Sequence, residues 1–212
     1  MTQSRVLALF DFDKTLVARD SFRMLGELGA RSSLERALLF AYAGVTKLGW
    51  IDNTRYKELV LTRIWCGRTE AERAQLLDAL SESIRAFSIE ATWARLREHL
   101  DQGDRVAILS ASPEFYLGPF MASVSGNIEV LASSVEETGA GVVVDNLFRD
   151  RKATRAKGLI EEHTPSRVVV YTDHRDDLPM MRLAQHIVLI RPFEDTIESV
   201  RETGIPFEVL VE

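Results

Sequence analysis

The sequence predicts an α/β fold, in which a Rossmann-like parallel sheet is interrupted by an inserted, entirely helical segment. Three observations lead to this prediction. The apolar run 6–10 is typical of a buried strand and ends in aspartates. From about residue 21 to residue 100, leucines and alanines recur at helical spacing without a convincing strand. After residue 104, short apolar runs alternate with helical stretches, as in a parallel sheet covered on both faces.

The order of these segments predicts the domain organisation. The chain has 212 residues, enough for one large domain or for one domain carrying an insert. We expect a discontinuous core formed by residues 1–17 and 101–212, with a helical domain, residues 18–100, between its first two strands. Within the helical domain, Thr69 and Glu72 have the spacing of a capping box at a helix start.

Composition and charge restrict the classes of function. Hydrophobic residues make up 46% of the chain and charged residues 27%, which is typical of a globular protein. The net charge of -6 weighs against a nucleic-acid partner, since such proteins usually carry a basic face. The single cysteine, Cys66, excludes an internal disulfide framework and suits a reducing cytoplasm, where we expect the protein.

No secretory signal and no spanning segment are predicted. The longest apolar stretch, residues 37–50, is interrupted by Lys47 and is shorter than the roughly 20 residues that a spanning helix needs. Such a stretch can lie on a membrane surface, but we expect a packed helix.

The core is predicted to contain strands and helices in alternation after the helical segment. The predicted strands cover residues 105–109, 128–132, 141–144, 168–171, 187–190 and 207–211. The predicted helices cover residues 113–124, 152–163, 178–184 and 194–203.

Two aspartates, Asp11 and Asp13, follow the first strand directly. The carboxyl ends of strands are where open α/β sheets bind ligands. Two like charges so close are costly unless a cation lies between them, so the pair predicts a magnesium site in which one carboxylate can also act as a nucleophile. The alternative is a polar turn in which an aspartate caps a helix. Thr15 is expected to shape the loop.

The second core strand ends in small hydroxyl residues, Ser110 and Ser112, followed by Pro113. A hydroxyl and free backbone N–H groups at such a strand end can hold a phosphate oxygen. Ser110 stands directly at the strand end and is the better candidate. Ser112 is interpreted as a helix N-cap, with Pro113 as the first helical residue.

A third apolar strand ends in Asp173, and Asp177 follows four residues later. Both carboxylates can face one cation if the segment forms a loop. Asp176 is interpreted as a solvated loop residue. Upstream, residues 149–157 form a basic run, which is usually a solvated face, although one of its cations can balance a site crowded with negative charge.

These motifs together resemble those of the haloacid dehalogenase (HAD) superfamily, specifically the phosphoserine-phosphatase-like branch, subfamily IB. Residues 11–15, Asp-Phe-Asp-Lys-Thr, match its first motif, Ser110 its second, and Asp173 with Asp177 its fourth. The resemblance covers nearly the whole chain and implies a HAD core with an inserted, all-helical C1-type cap. One residue departs from the family pattern, and one motif has two candidate residues. Thr172 stands where many relatives have glycine, and the third-motif lysine is Lys152 or Lys157. Lys152 is preferred because it opens a helix at the family's usual distance.

The resemblance implies a phosphatase that hydrolyses phosphoric monoesters. Asp11 would attack phosphorus and form an aspartyl-phosphate, and Asp13 would protonate the leaving oxygen and then activate water. Ser110 and Lys152 would bind the transferring phosphoryl group. An acid two residues after the nucleophile favours phosphate ester chemistry over halide displacement.

The resemblance also implies Mg²⁺ as the cofactor. Its ligands would be Asp11, the backbone carbonyl of Asp13, and Asp173, with Asp177 as a direct or outer-shell partner.

The substrate is expected to be a small phosphorylated metabolite: phosphoserine-like, a phosphoalcohol or a lipid-head-group phosphate. Asp20 falls where phosphoserine phosphatases place a glutamate near the substrate amine, and it is equally suited to cap the first helix. A phosphomutase of the same superfamily and a non-enzymatic phospho-receiver-like module remain alternatives. The oligomeric state is not predicted.

Overall fold

The computed structural model describes residues 6–211, so the outermost residues of the predicted core segments, 1–5 and 212, lie outside it. Within this range the chain forms seven strands and nine α-helices. In chain order they are β1 (Val6–Phe10), α1 (Ser21–Gly29), α2 (Ser33–Lys47), α3 (Asn53–Ile64), α4 (Glu70–Ala86), α5 (Glu90–Asp101), β2 (Arg105–Pro113), α6 (Glu114–Ala122), β3 (Ile128–Thr138), β4 (Gly141–Asp145), α7 (Asp150–His163), β5 (Arg167–Thr172), α8 (Leu178–Met181), β6 (His186–Ile190), α9 (Glu194–Arg201) and β7 (Phe207–Leu210).

The strands form a single sheet in the order β4-β3-β2-β1-β5-β6-β7. Phe10 of β1 is in register with Ile108 of β2 and with Tyr171 of β5, both parallel. The carboxyl ends of these three strands are therefore side by side in the middle of the sheet. The predicted α/β fold class is confirmed. One pairing differs from the predicted parallel sheet, because β3 and β4 form an antiparallel hairpin.

Alternation along β1 distributes its side chains between two apolar layers. Leu7 and Leu9 pack in one layer with Leu159 of α7. Ala8 and Phe10 belong to the other layer, which continues into the helices inserted after β1. The inserted helices therefore share a hydrophobic core with the sheet.

The helices α1–α5 lie between β1 and β2 in the chain, as predicted for the inserted segment. The predicted capping box at the start of α4 is present, with the Thr69 N–H donating to the Glu72 carboxylate at 2.7 Å. The insert also contacts the β3–β4 hairpin, where the Val142 N–H donates to the Thr62 hydroxyl at 3.1 Å. The boundaries of the cap as a separate domain stay a prediction.

Helix α2 packs on the other inserted helices through one face, as expected of a packed helix, and leaves the other face exposed. Leu39 is its buried residue, whereas the side chains of Leu34, Leu48 and Trp50 along and after it are exposed. In the described part of the chain, no helix combines the length and apolar character needed to cross a bilayer.

Several element boundaries differ from those predicted. The prediction that Pro113 is the first helical residue is wrong: Pro113 pairs with Ser133 at the end of β2, and α6 begins at Glu114. The predicted helix 178–184 is shorter, and a 3-10 turn over Arg175–Asp177 precedes α8.

Candidate active site

The carboxyl ends of β1, β2 and β5 open into a cleft of about 300 Å³. Parallel pairing places the residues that follow these strands at one edge of the sheet, where ligands bind in open α/β folds. Helices α1 and α3 border the cleft with Asp20, Tyr56 and Lys57. All the predicted site residues line this cleft, namely Asp11, Asp13, Asp20, Ser110, Lys152, Asp173 and Asp177.

Lys152 lies at the centre of the carboxylate cluster. It comes from the first turn of α7 and is buried, with its Nζ 2.6 Å from Asp11 Oδ1 and 2.8 Å from Asp177 Oδ2. Burial lowers the pKa of this lysine, but the two carboxylates more than offset it and hold the ammonium charged. Lys157 is exposed and pairs with Glu161 of the same helix. Of the two candidate lysines, the structure brings Lys152 to the cluster.

Asp11 is fixed at the end of β1, where its N–H donates to the carbonyl of Tyr171 at 2.9 Å. Its Oδ2 accepts a long hydrogen bond, 3.4 Å, from the buried Thr15 hydroxyl. Burial raises the pKa of the Asp11 carboxyl, Lys152 opposes this shift, and the charge of Asp177 adds to it. The predicted role of Thr15 in shaping the loop stays a prediction.

Asp13 is held at both carboxylate oxygens. The Ser21 N–H donates to Oδ1 at 2.6 Å, and the Ser112 hydroxyl donates to Oδ2 at 2.5 Å. Burial, together with the charge of Asp20, raises the pKa of Asp13 to about 7. A carboxyl with this pKa can give and take a proton near neutral pH.

Ser112 does not cap α6, so its interpretation as an N-cap is wrong. The N-cap position is Pro113, which makes no capping side-chain hydrogen bond. Because β2 continues to Pro113, Ser112 lies within the strand, and its hydroxyl donates to Asp13 instead of capping the helix. The Ser110 hydroxyl is buried and accepts a hydrogen bond from the Ser112 N–H at 3.0 Å.

Asp173 and Asp177 differ in their partners. Asp177 Oδ2 accepts from Lys152 and, at 2.7 Å, from the hydroxyl of Thr172. Thr172, the departure from the family pattern, therefore orients a motif residue. The carboxylate of Asp173 is mostly buried but forms no hydrogen bond or ion pair with the described residues. Burial, followed by the charge of Asp11, raises the pKa of Asp173 to about 8.

These charges fit a divalent cation. Burial raises the pKa of both Asp11 and Asp173, and the charge of Asp11 raises that of Asp173 further. Carboxylate oxygens are the ligands that Mg²⁺ prefers. Among residues 6–211, no three acidic, histidine or cysteine side chains are gathered closely enough to hold a metal ion by themselves. Two carboxylates supplemented by a backbone carbonyl are compatible with this finding.

Asp176 and Asp20 each have a side-chain partner in the structure. Asp176, interpreted as a solvated loop residue, is partly exposed and accepts from the Arg149 guanidinium at 2.7 Å. Asp20 is the N-cap of α1, since its Oδ1 accepts from the Arg23 N–H at 2.8 Å. Its carboxylate also borders the cleft, and a contact with substrate stays a prediction.

Lys57 is a cleft residue that the sequence analysis missed. Its buried Nζ donates to the carbonyl of Ala111 at 2.5 Å and to Asn146 Oδ1 at 2.7 Å, connecting α3 to the core. Burial lowers the pKa of Lys57 to about 8. The available signal was its position on the apolar stripe of α3, one turn before the buried Val60 and Leu61.

The fold and the cleft define an α/β enzyme with an acidic, lysine-containing site at the strand ends and helices inserted after the first strand. A sequence model of the haloacid dehalogenase-like hydrolase family matches residues 8–182, and the chain belongs to this family. The predicted family and the predicted hydrolase class are thereby confirmed.

Individual relatives agree with this assignment. A putative hydrolase of Mycobacterium leprae is 29% identical over 212 residues, covering 93% of this chain and 70% of the relative. A protein named phosphoserine phosphatase from Mycobacterium tuberculosis is also 29% identical, with coverages of 93% and 68%.

Solved structures show the same fold at low identity. A protein of unknown function from Bordetella pertussis has a TM-score of 0.83 at 20% identity, covering 96% of this chain and 98% of its own. A phosphoserine phosphatase, solved as an analogue of the phospho-aspartyl intermediate, has a TM-score of 0.67 at 13% identity, with coverages of 92% and 91%. The fold is thus the one predicted for the phosphoserine-phosphatase-like branch.

Proposed function

We propose that the protein is a Mg²⁺-dependent phosphatase that hydrolyses a small phosphomonoester through an aspartyl-phosphate on Asp11. The observation that carries this proposal is the buried contact between Lys152 and Asp11, with Asp13 in the same cleft. It gives a carboxylate nucleophile, a cation for the phosphoryl group and an acid with a pKa of about 7. The phosphatases among the relatives support it.

In the first step, a carboxylate oxygen of Asp11 attacks phosphorus while the bond to the ester oxygen breaks. The neutral carboxyl of Asp13 gives its proton to the departing oxygen. In the second step, ionised Asp13 takes a proton from the attacking water, the phosphorus–Asp11 bond breaks, and inorganic phosphate leaves.

Lys152 and Ser110 would bind the transferring phosphoryl group. The ammonium of Lys152 neutralises charge on its oxygens, and the Ser110 hydroxyl can donate to one of them. Catalysis of this kind depends on positioning and electrostatics, for which a buried site is favourable because water screens little.

Mg²⁺ would be held by the carboxylates of Asp11 and Asp173 and the backbone carbonyl of Asp13. Asp177 would be an outer-shell partner, since its Oδ2 is already bonded to Lys152 and Thr172. When bound, the cation neutralises negative charge on the nucleophile and the phosphoryl oxygens.

The cleft favours a small substrate that carries polar groups beyond the phosphate. Asp20 and Lys57 contribute one negative and one positive group from the inserted helices. A phosphoserine-like compound, a phosphoalcohol or a lipid-head-group phosphate fits this description, and Asp20 would face an amine where the substrate has one. We further propose that residues 18–100 act as the cap and that the protein works in the cytoplasm.

The test is phosphate release from an aryl phosphate by the wild type, Asp11→Asn and Asp78→Asn, with Mg²⁺ and with chelator. Asp78 is an exposed aspartate on α4 and provides the matched control. We expect Asp11→Asn and chelation to reduce release at least about 100-fold, and Asp78→Asn to match the wild type. A fully active Asp11→Asn enzyme would refute the assigned nucleophile. Transfer to an added sugar phosphate in place of water would indicate a mutase, and a stable phosphoprotein without turnover would indicate a receiver.

A further inference from the structure

Three buried hydroxyls form a chain behind Asp13. The Ser112 Oγ donates to Asp13 Oδ2 at 2.5 Å. The Ser21 Oγ lies 3.0 Å from the Ser112 Oγ and 2.9 Å from the Tyr116 hydroxyl. These residues come from the end of β2, the start of α1 and the first turn of α6, and each is at most 4% exposed. We call Ser112, Ser21 and Tyr116 the hydroxyl chain.

One orientation of the hydroxyl chain suits a carboxylate at its end. Tyr116 donates to Ser21, Ser21 donates to Ser112, and Ser112 donates to Asp13. Burial raises the pKa of Tyr116 well above its usual value, so the phenol stays neutral and can donate. Each hydroxyl polarises the next in such a chain, which strengthens the final hydrogen bond to the carboxylate.

The hydroxyl chain and the backbone fix the plane of the Asp13 carboxylate. The Ser21 N–H donates to Oδ1 at 2.6 Å, while Ser112 donates to Oδ2. Donors on both oxygens oppose rotation of the carboxylate about its bond to Cβ. A hydroxyl can also reverse its direction, so Ser112 can keep its contact when Asp13 gains or loses a proton.

We propose that Ser112 is a positioning residue that aims the carboxyl of Asp13 at the leaving oxygen of the substrate, and that Ser21 and Tyr116 hold Ser112 in place. This inference rests on the proposed function, in which Asp13 is the acid. General acid catalysis requires hydrogen-bond reach to the reacting atom, and a carboxyl that swings freely spends little time there.

The kinetic test compares esters whose leaving groups need the proton to different degrees. Nitrophenolate leaves readily without a proton, whereas an alkoxide does not. We would measure kcat/KM for nitrophenyl, phenyl and alkyl phosphates with the wild type, Ser112→Ala, Ser112→Thr and Tyr116→Phe. The control is Tyr171→Phe, which removes a buried tyrosine hydroxyl that contacts His99 and lies outside the hydroxyl chain.

We expect Ser112→Ala to lower kcat/KM by a factor that grows with the pKa of the leaving group. This factor should be at least about tenfold greater for an alkyl phosphate than for nitrophenyl phosphate. Tyr116→Phe should give a smaller change in the same direction, Ser112→Thr should recover part of the loss, and Tyr171→Phe should keep the wild-type dependence. An equal loss for all esters with Ser112→Ala would mean a merely structural role and would overturn the proposal.

A second experiment tests the proposal by structure, without measuring activity. Crystal structures of the wild type and Ser112→Ala under identical conditions should show the Asp13 carboxylate rotated or in several orientations in the variant. An Asp13 carboxylate that keeps its wild-type position without the Ser112 hydroxyl overturns the inference. A wild type that hydrolyses no ester would refute the proposed function, and the comparison of the two structures would still test the positioning.

Discussion

The ammonium nitrogen of Lys152 lies 2.6 Å from Oδ1 of Asp11, and both residues are buried. This contact joins residues 141 positions apart in the chain. Burial raises the pKa of Asp11, the ammonium of Lys152 opposes that rise, and the pair keeps a cation where a phosphoryl group would arrive. It is therefore the contact whose removal tests the site most directly.

Replacing Lys152 by methionine should abolish most of the activity, because the transferring phosphoryl group loses its protein cation. We expect kcat to fall about 100-fold or more. Lys157→Met, on the same helix but exposed, should retain the wild-type rate within about twofold. Steady-state kinetics on an aryl phosphate checks both variants. Comparable losses in the two would show that Lys152 acts only through the helix.

The metal-free protein should lose stability as pH rises. The pKa of Asp173 is about 8 in the folded protein against an ordinary 3.8, so the unfolded chain releases this proton first. The contribution of Asp173 to stability is therefore fully present below about pH 4 and is lost as pH rises through about 8. Asp173→Asn should flatten this decline and raise the metal-free Tm at pH 8 by at least about 3 °C.

Melting curves from pH 5 to pH 8, with and without Mg²⁺, check this prediction. Mg²⁺ should stabilise the wild type and Asp78→Asn at pH 8, because a ligand that binds only the folded state raises Tm. The gain should be largely absent in Asp173→Asn. A variant that responds to Mg²⁺ like the wild type would remove Asp173 from the metal site.

Substitutions of Asp20 can separate its role as a helix N-cap from the effect of its negative charge. Asparagine is as good an N-cap as aspartate, whereas alanine is not. Asp20→Ala should therefore lower the free energy of unfolding by about 1 kcal/mol, and Asp20→Asn should change it little. If Asp20 faces a substrate amine, Asp20→Asn should raise KM for amino-bearing phosphates but not for phosphoalcohols. Denaturant unfolding and a substrate panel supply the two measurements.

Gly29 and Gly44 test the packing of the inserted helices. A Cβ on Gly29 would lie 2.9 Å from the Cβ of Ile64 in α3, whereas one on Gly44 would meet nothing within 4 Å. Gly29→Ala should destabilise the protein by about 1–3 kcal/mol through overpacking. Gly44→Ala should stabilise it by about 0.5–1 kcal/mol, because alanine favours the helix interior. Equal effects in chemical denaturation would contradict the close approach of α1 and α3.

Much of the site could be predicted from the residues that follow the apolar runs in the sequence. Asp11 and Ser110 come directly after an apolar run, and Asp173 follows one with a single residue between. Parallel strands bring such residues to one edge of the sheet. Local patterns also predicted the capping box of α4, since its two side chains are three residues apart. The antiparallel β3–β4 hairpin was not predicted, because strand direction depends on which chain segment pairs with which.

The role of Ser112 shows where local patterns were insufficient. A serine before a proline and a helix is typical of an N-cap, yet β2 continues to Pro113 and directs this hydroxyl to Asp13. Lys57 was missed for a related reason. Its partners, Ala111 and Asn146, are 54 and 89 residues away, and no pattern within α3 reports them.

The family, the alternation of strands and helices, and the residues at the strand ends were all predictable from the sequence. These depend on hydrophobic periodicity and on short motifs, both of which are local. The folded arrangement was needed to show that Lys152 and not Lys157 contacts Asp11. It was also needed to show that Ser112, Ser21 and Tyr116 meet behind Asp13. Such contacts depend on how distant segments pack, because a buried polar group bonds to whichever partner the packing brings near.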